Sequence, residues 1–210
     1  MKKFTAFLLC SLLTLSMFSQ DMGLVFQTKS ATWFGLDYSE AYFVGTDGFT
    51  NPADIKDRFF NSWNMLVKNE YSKYDVGKYF RKENVGFSLE NVTARNAEVD
   101  INERITNDES KSQHLDKDKV QEIINAYNFD AGQSGLGIVF IVECYSKTAV
   151  TGYYYVTLFD IESKQVLITE RLKGQAGGFG IRNYWARSYY DVMKFINKTQ
   201  YKYWVKKYDK

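Results

Sequence analysis

Apolar and polar residues recur along the chain in spacings that predict helices and strands in alternation. The clearest helix starts at Asn51, an Asx cap followed by Pro52 at the first helical position and by Asp54, where the helix dipole favours an acid. Apolar residues then follow at helical spacing and predict a buried stripe, and only Glu70 breaks it. The stripe consists of Ile55, Phe59, Trp63 and Leu66.

Two further helices are predicted from capping and spacing. Asp116 is an N-cap, Leu115 and Val120 form a hydrophobic staple across it, and Gly132 lies beyond the helix end. The apolar face of this helix comprises Val120, Ile123, Ile124 and Tyr127. The last helix is predicted over residues 181–199, with Ile181, Trp185, Tyr189, Val192 and Ile196 buried.

Strand patterns lie on both sides of these helices. Residues 32–45 predict a long strand with a bulge near Gly35, and partial alternation from Val85 predicts another strand. The strongest pattern runs over residues 137–172 as three consecutive strands. The first of them, GIVFIVECY, is apolar on both faces, as expected of a central strand covered on both sides.

The second and third of these strands predict a hairpin whose turn is residues 161–164. Such a turn sets the cross-strand pairs Asp160–Gln165, Leu158–Leu167 and Tyr154–Arg171. The element order therefore predicts an α+β fold. Its sheet is mixed and largely antiparallel, with a C-terminal three-stranded meander, and about three helices pack against it.

The domain organisation is predicted to be simple. Proline occurs once, at Pro52, and the sequence contains no internal repeat. Residues 21–210 are therefore expected to form one domain, and about 190 residues suffice for a substantial core. The polar stretch over residues 102–115 predicts a loop, mobile in its first part.

The first twenty residues, MKKFTAFLLCSLLTLSMFSQ, have the layout of a secretory signal peptide. Cleavage is expected on either side of Gln20, which places the mature protein in the periplasm or outside the cell. Cys10 lies inside the apolar stretch and does not follow a small residue, so no lipid anchor is expected. The leader resembles those of exported proteins of the Bacteroidota.

Charge and cysteine content narrow the function classes. The chain has 27 Lys and Arg and 25 Asp and Glu, and removal of Lys2 and Lys3 makes these totals equal. No basic surface for nucleic acid is therefore expected. No second apolar run reaches the roughly 18 residues of a membrane span. Cys144 is the only cysteine after the leader, which excludes an intrachain disulfide in the mature chain.

A glycine loop, GQAGGFGIRN at residues 174–183, separates the last strand from the last helix. It lacks the patterns of the dinucleotide and P-loop motifs, so no nucleotide cofactor is expected. One interpretation is a turn: Gly177, Gly178 and Gly180 allow positive φ, and Phe179 packs under the sheet.

The other interpretation of this loop is a binding site. Arg182 and Arg187 fall in the first turns of the helix, where the dipole disfavours a positive charge and a bound anion would offset it. These arginines can instead form a salt bridge to Asp191 or to a strand acid such as Glu170. Asn183 can simply cap the helix.

The remaining candidates for chemistry are isolated in sequence. His114 has no second nitrogen ligand or cysteine nearby, so it is expected to be solvated, and no metal site is predicted. Cys144 is expected to be a buried, inert thiol, on the strand face that also carries Ile138, Phe140 and Val142. The run Tyr153–Tyr155 can stack on sugars or pack the sheet.

Carboxylates lie within or at the ends of predicted strands, and two of them flanking a cleft can perform acid–base hydrolysis. They are Asp37, Glu40, Glu143 and Asp160. Sequence places no two of them together. Glu143, between Ile141 and Tyr145, is expected to be partly buried.

The segment LFDIESKQVL resembles the strand–turn–strand of a small periplasmic module. This module occurs in curli-secretion lipoproteins and in the lipoprotein activators of penicillin-binding proteins, and its element order is similar to that of residues 32–195. The resemblance implies an envelope protein that acts by binding other proteins. The absence of a lipidated cysteine departs from both families.

Three functions follow, in order of preference. The first is a non-catalytic exported interaction module of the bacterial cell envelope, with envelope proteins as partners and no cofactor. The alternative is a small-anion or glycan binding protein that uses the glycine loop, and the third is a carboxylate-dependent hydrolase. The candidate binding residues are Gly177, Gly178, Gly180, Arg182, Asn183, Arg187 and Glu143.

Overall fold

The computed structural model describes residues 22–209, so the predicted leader and its cleavage site lie outside the described residues. Seven strands of this part form one mixed sheet. They are β1 (Ser30–Asp37), β2 (Tyr42–Val44), β3 (Asn84–Phe87), β4 (Ile105–Thr106), β5 (Leu136–Ser146), β6 (Thr151–Asp160) and β7 (Val166–Gln175). The α+β prediction, with its mixed sheet and C-terminal meander, is confirmed.

More helices are present among these residues than the three predicted. They are α1 (residues 22–26), α2 (Pro52–Asp54, continuing through a π turn at Ile55–Phe59 to Phe60–Asn64), α3 (Leu66–Asn69), α4 (Val76–Phe80), α5 (Glu90–Ala97), α6 (Ile101–Arg104), α7 (Lys117–Asn125) and α8 (Ile181–Phe195, continuing through a π turn at Ile196–Gln200 to Tyr201–Tyr208). The predicted side-chain caps at Asn51 and Asp116 are both present.

Strand β5 is the centre of the sheet. One edge pairs antiparallel with β6, and the other pairs in parallel first with β1 and then with β2. The predicted strand over residues 32–45 is therefore two strands in succession. The predicted bulge is present, because the register shifts between Trp33 and Gly35. Gly35 has φ +104°, and a Cβ there would lie 2.4 Å from Asn64 Oδ1.

Strand β3 lies outside β1 and pairs with it in parallel. The strand predicted from Val85 ends at Phe87, and the chain then enters α5. Val92 and Asn96 are buried at helical spacing, and Asn96 Oδ1 accepts a hydrogen bond from Tyr38 N at 2.6 Å. The alternation of residues 85–89 obscures this helical period, and for that reason the sequence predicted a strand where the chain forms α5.

The hairpin of β6 and β7 closes as predicted and then shifts by one residue. Asp160 N donates to Gln165 O at 2.9 Å, and Phe159 pairs with Val166. A bulge follows, so the predicted pairs Leu158–Leu167 and Tyr154–Arg171 are wrong. The pairs present are Leu158–Ile168, Tyr154–Leu172 and Tyr155–Arg171. Since one residue of slip reverses the face of every side chain beyond it, Arg171 lies on the face of Tyr155.

Both faces of the sheet are covered. The larger buried cluster includes Trp33, Phe140 and Trp185 on the side of α2 and α8, and the smaller includes Phe34 and Ile141 on the side of α7. The two predicted stripes, one over α2 and the start of α3 and the other over α7 and Tyr127, are buried in full. In α8, Ile181 is only half-buried, and the helix extends beyond its predicted end to Tyr208.

The polar stretch predicted to be a loop contains short regular elements. It holds most of α6, then β4, which pairs with β2, and a 3-10 turn at Glu109–Ser112. Side chains of Asp100 and Asp108 cap these turns by accepting backbone N–H bonds. Such local capping orders a polar chain without an apolar pattern. Across residues 22–209, no helix combines the length and apolar character needed to cross a membrane.

Candidate functional site

The glycine loop begins where α8 crosses the meander at close range. Gly174 of β7 pairs with Gly152 of β6, and both lie beneath Ser188. A Cβ on Gly174 would lie 1.9 Å from Ser188 O, and one on Gly152 would lie 2.5 Å from Ser188 Oγ. These two glycines therefore permit the contact between the helix and the sheet.

The rest of the loop reverses the chain into α8. Gly178 and Gly180 have φ values of +113° and +75°, so the positive φ predicted for them is present. Gly177 N donates to Tyr184 O at 3.0 Å, and Tyr184 N donates to Gly180 O at 2.9 Å. The loop is therefore fastened to the first turn of the helix through its backbone.

Phe179, at the tip of this loop, is 95% exposed. The expectation that it packs under the sheet is wrong. The buried aromatic residue near the start of α8 is Trp185, whose ring centroid lies 4.5 Å from that of Tyr145 and 5.5 Å from that of Phe49. The loop thus presents a large apolar side chain to the surroundings.

Arg182 is fixed by α2 and by the residues that follow it. Its guanidinium donates to Ser62 Oγ at 2.9 Å and to Glu70 Oε1 at 2.8 Å, and its carbonyl accepts from Trp63 Nε1 at 2.9 Å. Glu70 is the one polar residue that interrupts the predicted stripe. The polar residue in that otherwise apolar stripe was therefore the feature of the sequence that could have indicated Glu70 as the partner of Arg182.

The other interpretations of these helix residues are corrected in the same way. Asp191 pairs with Lys194 and Glu170 with Lys207, so neither acid is the partner of Arg182 or of Arg187. The cap position belongs to Gly180, and Asn183 Oδ1 accepts from Arg182 Nη1 at 3.0 Å.

Arg187 is exposed and lies against Gly177, where an added Cβ would be 2.8 Å from its Nη1. It forms no ion pair with any residue of 22–209.

Glu143 belongs to a second group of contacts, around a bulge in β5. The register with β6 shifts between Val142 and Cys144, and Glu143 is fully buried rather than partly buried. Its Oε1 accepts from His114 N and Leu115 N, both at 3.0 Å, and its Oε2 accepts from Arg171 Nε at 2.5 Å. The carboxylate thereby holds residues 114–115 against the sheet.

His114 reinforces this attachment and is not solvated as predicted. Its Nδ1 lies 2.8 Å from Lys111 O, and its Nε2 lies 2.9 Å from Glu40 O. A carbonyl oxygen only accepts, so each contact is a hydrogen bond when the ring nitrogen that faces it carries a proton. The ring thus links the 3-10 turn to the residues between β1 and β2.

The other candidate carboxylates are also engaged. Asp37 is buried and accepts from Arg95 Nε at 3.1 Å and Tyr127 OH at 2.8 Å. Glu40 pairs with Arg104 and Lys119, and Asp160 accepts from Glu162 N and Ser163 Oγ in its turn. Each of these carboxylates thus accepts hydrogen bonds from, or forms ion pairs with, other groups of the protein, which gives it a structural role.

Cys144 is buried, as expected, but not on the predicted face. Tyr145, rather than Cys144, belongs to the same cluster as Phe140 and Val142, because the bulge at Glu143 shifts the alternation. Burial raises the pKa of the Cys144 thiol to about 12, and the nearby Glu143 charge adds to the effect. The thiolate is therefore strongly disfavoured.

The three neighbouring tyrosines pack the sheet. Tyr154 is buried with its hydroxyl 2.5 Å from Ser188 Oγ, and Tyr155 OH donates to Leu115 O at 2.8 Å. Burial holds the pKa of Tyr154 well above its usual range. The Arg171 guanidinium lies over the ring of Tyr153, with its Cζ 4.4 Å from the ring centroid.

The predicted site residues therefore fall into two groups. Six of them are brought together at the start of α8, and Glu143 joins Arg171 and His114 elsewhere. No three His, Cys, Asp or Glu side chains within residues 22–209 are arranged to hold a metal ion. No protein-family model matches the chain, and no curated protein or solved structure matches it either.

Proposed function

We propose that this protein is a non-catalytic module that is exported and binds another protein of the cell envelope. Phe179 is the docking side chain in this proposal. The observation that carries it is the 95% exposure of Phe179 on a loop that is anchored at both ends. Burying a phenylalanine in a partner yields roughly 1.5–3 kcal/mol, and aromatic anchors of this kind dominate many interfaces.

The same contacts weigh against the other candidate functions. The Arg182 guanidinium already donates to Glu70, Ser62 and Asn183, which leaves it poorly placed to receive an anion. Asp37 and Glu143 each have an arginine partner, so neither is poised as a free acid or base. Export itself rests on the leader sequence, and the periplasmic-module resemblance of the hairpin points in the same direction.

A pull-down from an envelope extract of the native host tests the proposal. We expect the wild-type protein to retain a partner and Phe179→Ser to lose it, with an unchanged melting temperature. The matched control is Tyr203→Ser, since Tyr203 is an exposed aromatic residue near the other end of α8. Equal recovery of the partner by Phe179→Ser and wild type would contradict the proposal.

Binding of a small anion or glycan is the second candidate, and Arg187 favours it because it is exposed beside the loop without an ion-pair partner in residues 22–209. A thermal-shift panel of phosphate, acetate and oligosaccharides tests this function. A ligand at 100 times its Kd adds about 2.7 kcal/mol of stability. Stabilisation that Arg187→Ala removes would establish this function in place of the first.

A further inference from the structure

Strand β3 has one edge free of partners among residues 22–209. Strand β3 pairs with β1 alone. On the side that faces β1, Asn84 N donates to Lys29 O and Ser88 N donates to Trp33 O. Successive residues of a strand direct their backbone groups to opposite edges. The N–H and C=O groups of Val85 and Phe87 therefore point outward, where an added strand can pair with them.

A groove of about 470 Å³ lies beside this edge. Its apolar wall is formed by Val67, Tyr71, Tyr74, Val85 and Phe87. Tyr71 is 72% exposed and Phe87 is 42% exposed. An aromatic groove next to unpaired backbone groups provides both parts of peptide recognition by strand addition, namely main-chain pairing and a pocket for side chains.

Lys82, one of the residues that line the groove, carries a buried positive charge without a carboxylate partner among residues 22–209. Lys82 is 6% exposed, and its Nζ donates only to Val25 O at 2.5 Å and Thr28 O at 2.7 Å. No carboxylate of residues 22–209 forms a salt bridge with it. Desolvation lowers the pKa of Lys82 to about 8, as expected of an ammonium group that lacks a counter-ion.

The acidic residues of the groove have other partners. Glu83 pairs with Lys29 at 2.7 Å, and Asp75 caps α4 by accepting from Lys78 N at 2.9 Å. The Lys78 ammonium forms no ion pair within the described part of the chain. Asp75, Lys78, Lys82 and the Lys29–Glu83 pair together give this surface a net charge of about +1, which is complementary to a carboxylate.

We infer that this edge and groove bind an extended peptide segment of a partner protein. The segment pairs as a strand with Val85 and Phe87, directs an acidic side chain toward Lys82, and places an apolar side chain against Tyr71. The surface is built from different residues than the Phe179 loop and goes beyond the function proposed for it.

Amide chemical shifts of the isotope-labelled mature protein test the inference. The probe is a capped six-residue peptide of alternating valine and threonine with one glutamate, and the comparison is the same peptide with lysine in place of glutamate. We expect the acidic peptide to shift the amide signals of Val85 and Phe87 and to bind at least about fivefold more tightly, the factor that corresponds to roughly 1 kcal/mol.

Two variants separate the parts of the site. Lys82→Met should remove the difference between the two peptides, and Tyr71→Ser, at an exposed position, should weaken both. Absence of shifts on β3, or equal affinity of both peptides for the wild-type protein, would overturn the inference even if Lys82→Met does not fold. Phe179→Ser should bind the peptides as the wild type does, so failure here is distinct from failure of the Phe179 proposal.

Discussion

Replacing Glu143 with glutamine tests whether this buried carboxylate has the structural role that its contacts indicate. The substitution keeps the size of the side chain. It removes the charge that faces Arg171 and leaves one carbonyl oxygen where two carboxylate oxygens accepted three hydrogen bonds. Residues 112–115 should then lose much of their attachment to the sheet.

The magnitude follows from the burial of the two partners. Removing one member of a buried ion pair costs roughly 3–5 kcal/mol. Glu143 is fully buried, but the Arg171 side chain is 27% exposed and water can partly solvate it in the variant. We therefore expect a loss of about 2–3 kcal/mol, which lowers the melting temperature of a chain of this size by roughly 4–12 °C.

Urea unfolding of a protein that comprises residues 21–210 measures this loss. The control is Glu170→Gln, which removes a partly exposed pair with Lys207 and should cost less than about 1 kcal/mol. Combining Glu143→Gln with Arg171→Met should cost less than the sum of the single changes, because no unpaired charge remains. A loss within about 0.5 kcal/mol of zero for Glu143→Gln, or strictly additive costs, would refute the structural role.

Three further predictions concern other contacts. Gly174→Ala should destabilise the protein by at least about 2 kcal/mol in urea unfolding, because its Cβ would meet Ser188 O at 1.9 Å, and an unchanged midpoint would contradict the close crossing of α8. Arg182→Ala should cost about 1 kcal/mol, since its partly exposed ion pair with Glu70 joins α8 to the turn after α3. A variant as stable as wild type would show that the pair contributes nothing. The pKa of Lys82 is about 8 in the folded protein and ordinarily 10.5. Between pH 8 and 10.5 the unfolded chain therefore binds more protons than the folded protein does. The free energy of unfolding should rise with pH in this range, by at most about 1.4 kcal/mol per pH unit. Lys82→Met should lack that rise, and identical pH profiles of the two proteins would contradict the buried charge.

Local signals in the sequence were sufficient for the parts of the fold that depend on neighbouring residues. The caps at Asn51 and Asp116, the stripe of α2 and the central position of β5 all follow from spacing and residue type. The bulge near Gly35 was also predictable, because an isolated glycine in a strand commonly marks a bulge.

Insertions of single residues account for most of what could not be predicted. The bulge at Leu167, opposite the step from Leu158 to Phe159, moves Arg171 to the face of Tyr155. The bulge at Glu143 puts Tyr145 instead of Cys144 into the cluster of Phe140 and Val142. Neither bulge changes the local pattern of apolar residues. The pairing of Glu143 with Arg171 depends on both, and so it was not visible in the sequence.

The candidate loop shows the same limit. Its glycines predicted positive φ, but whether Phe179 points inward depends on whether the core has room for it. Phe179 is exposed, whereas Trp185 of the following helix packs against Tyr145 and Phe49, in contacts that join residues more than 35 positions apart in sequence. The exposure of Phe179 is therefore a property of the packed core rather than of the loop.

Site-specific photo-crosslinking tests the central claim most directly. A photoreactive phenylalanine analogue replaces Phe179 in the full-length chain, which is expressed and irradiated in its own host, and a second protein carries the analogue in place of Tyr203. Docking through Phe179 predicts a discrete adduct with an envelope protein from position 179 and none from position 203. No adduct from position 179, or the same adducts from both positions, would contradict the claim.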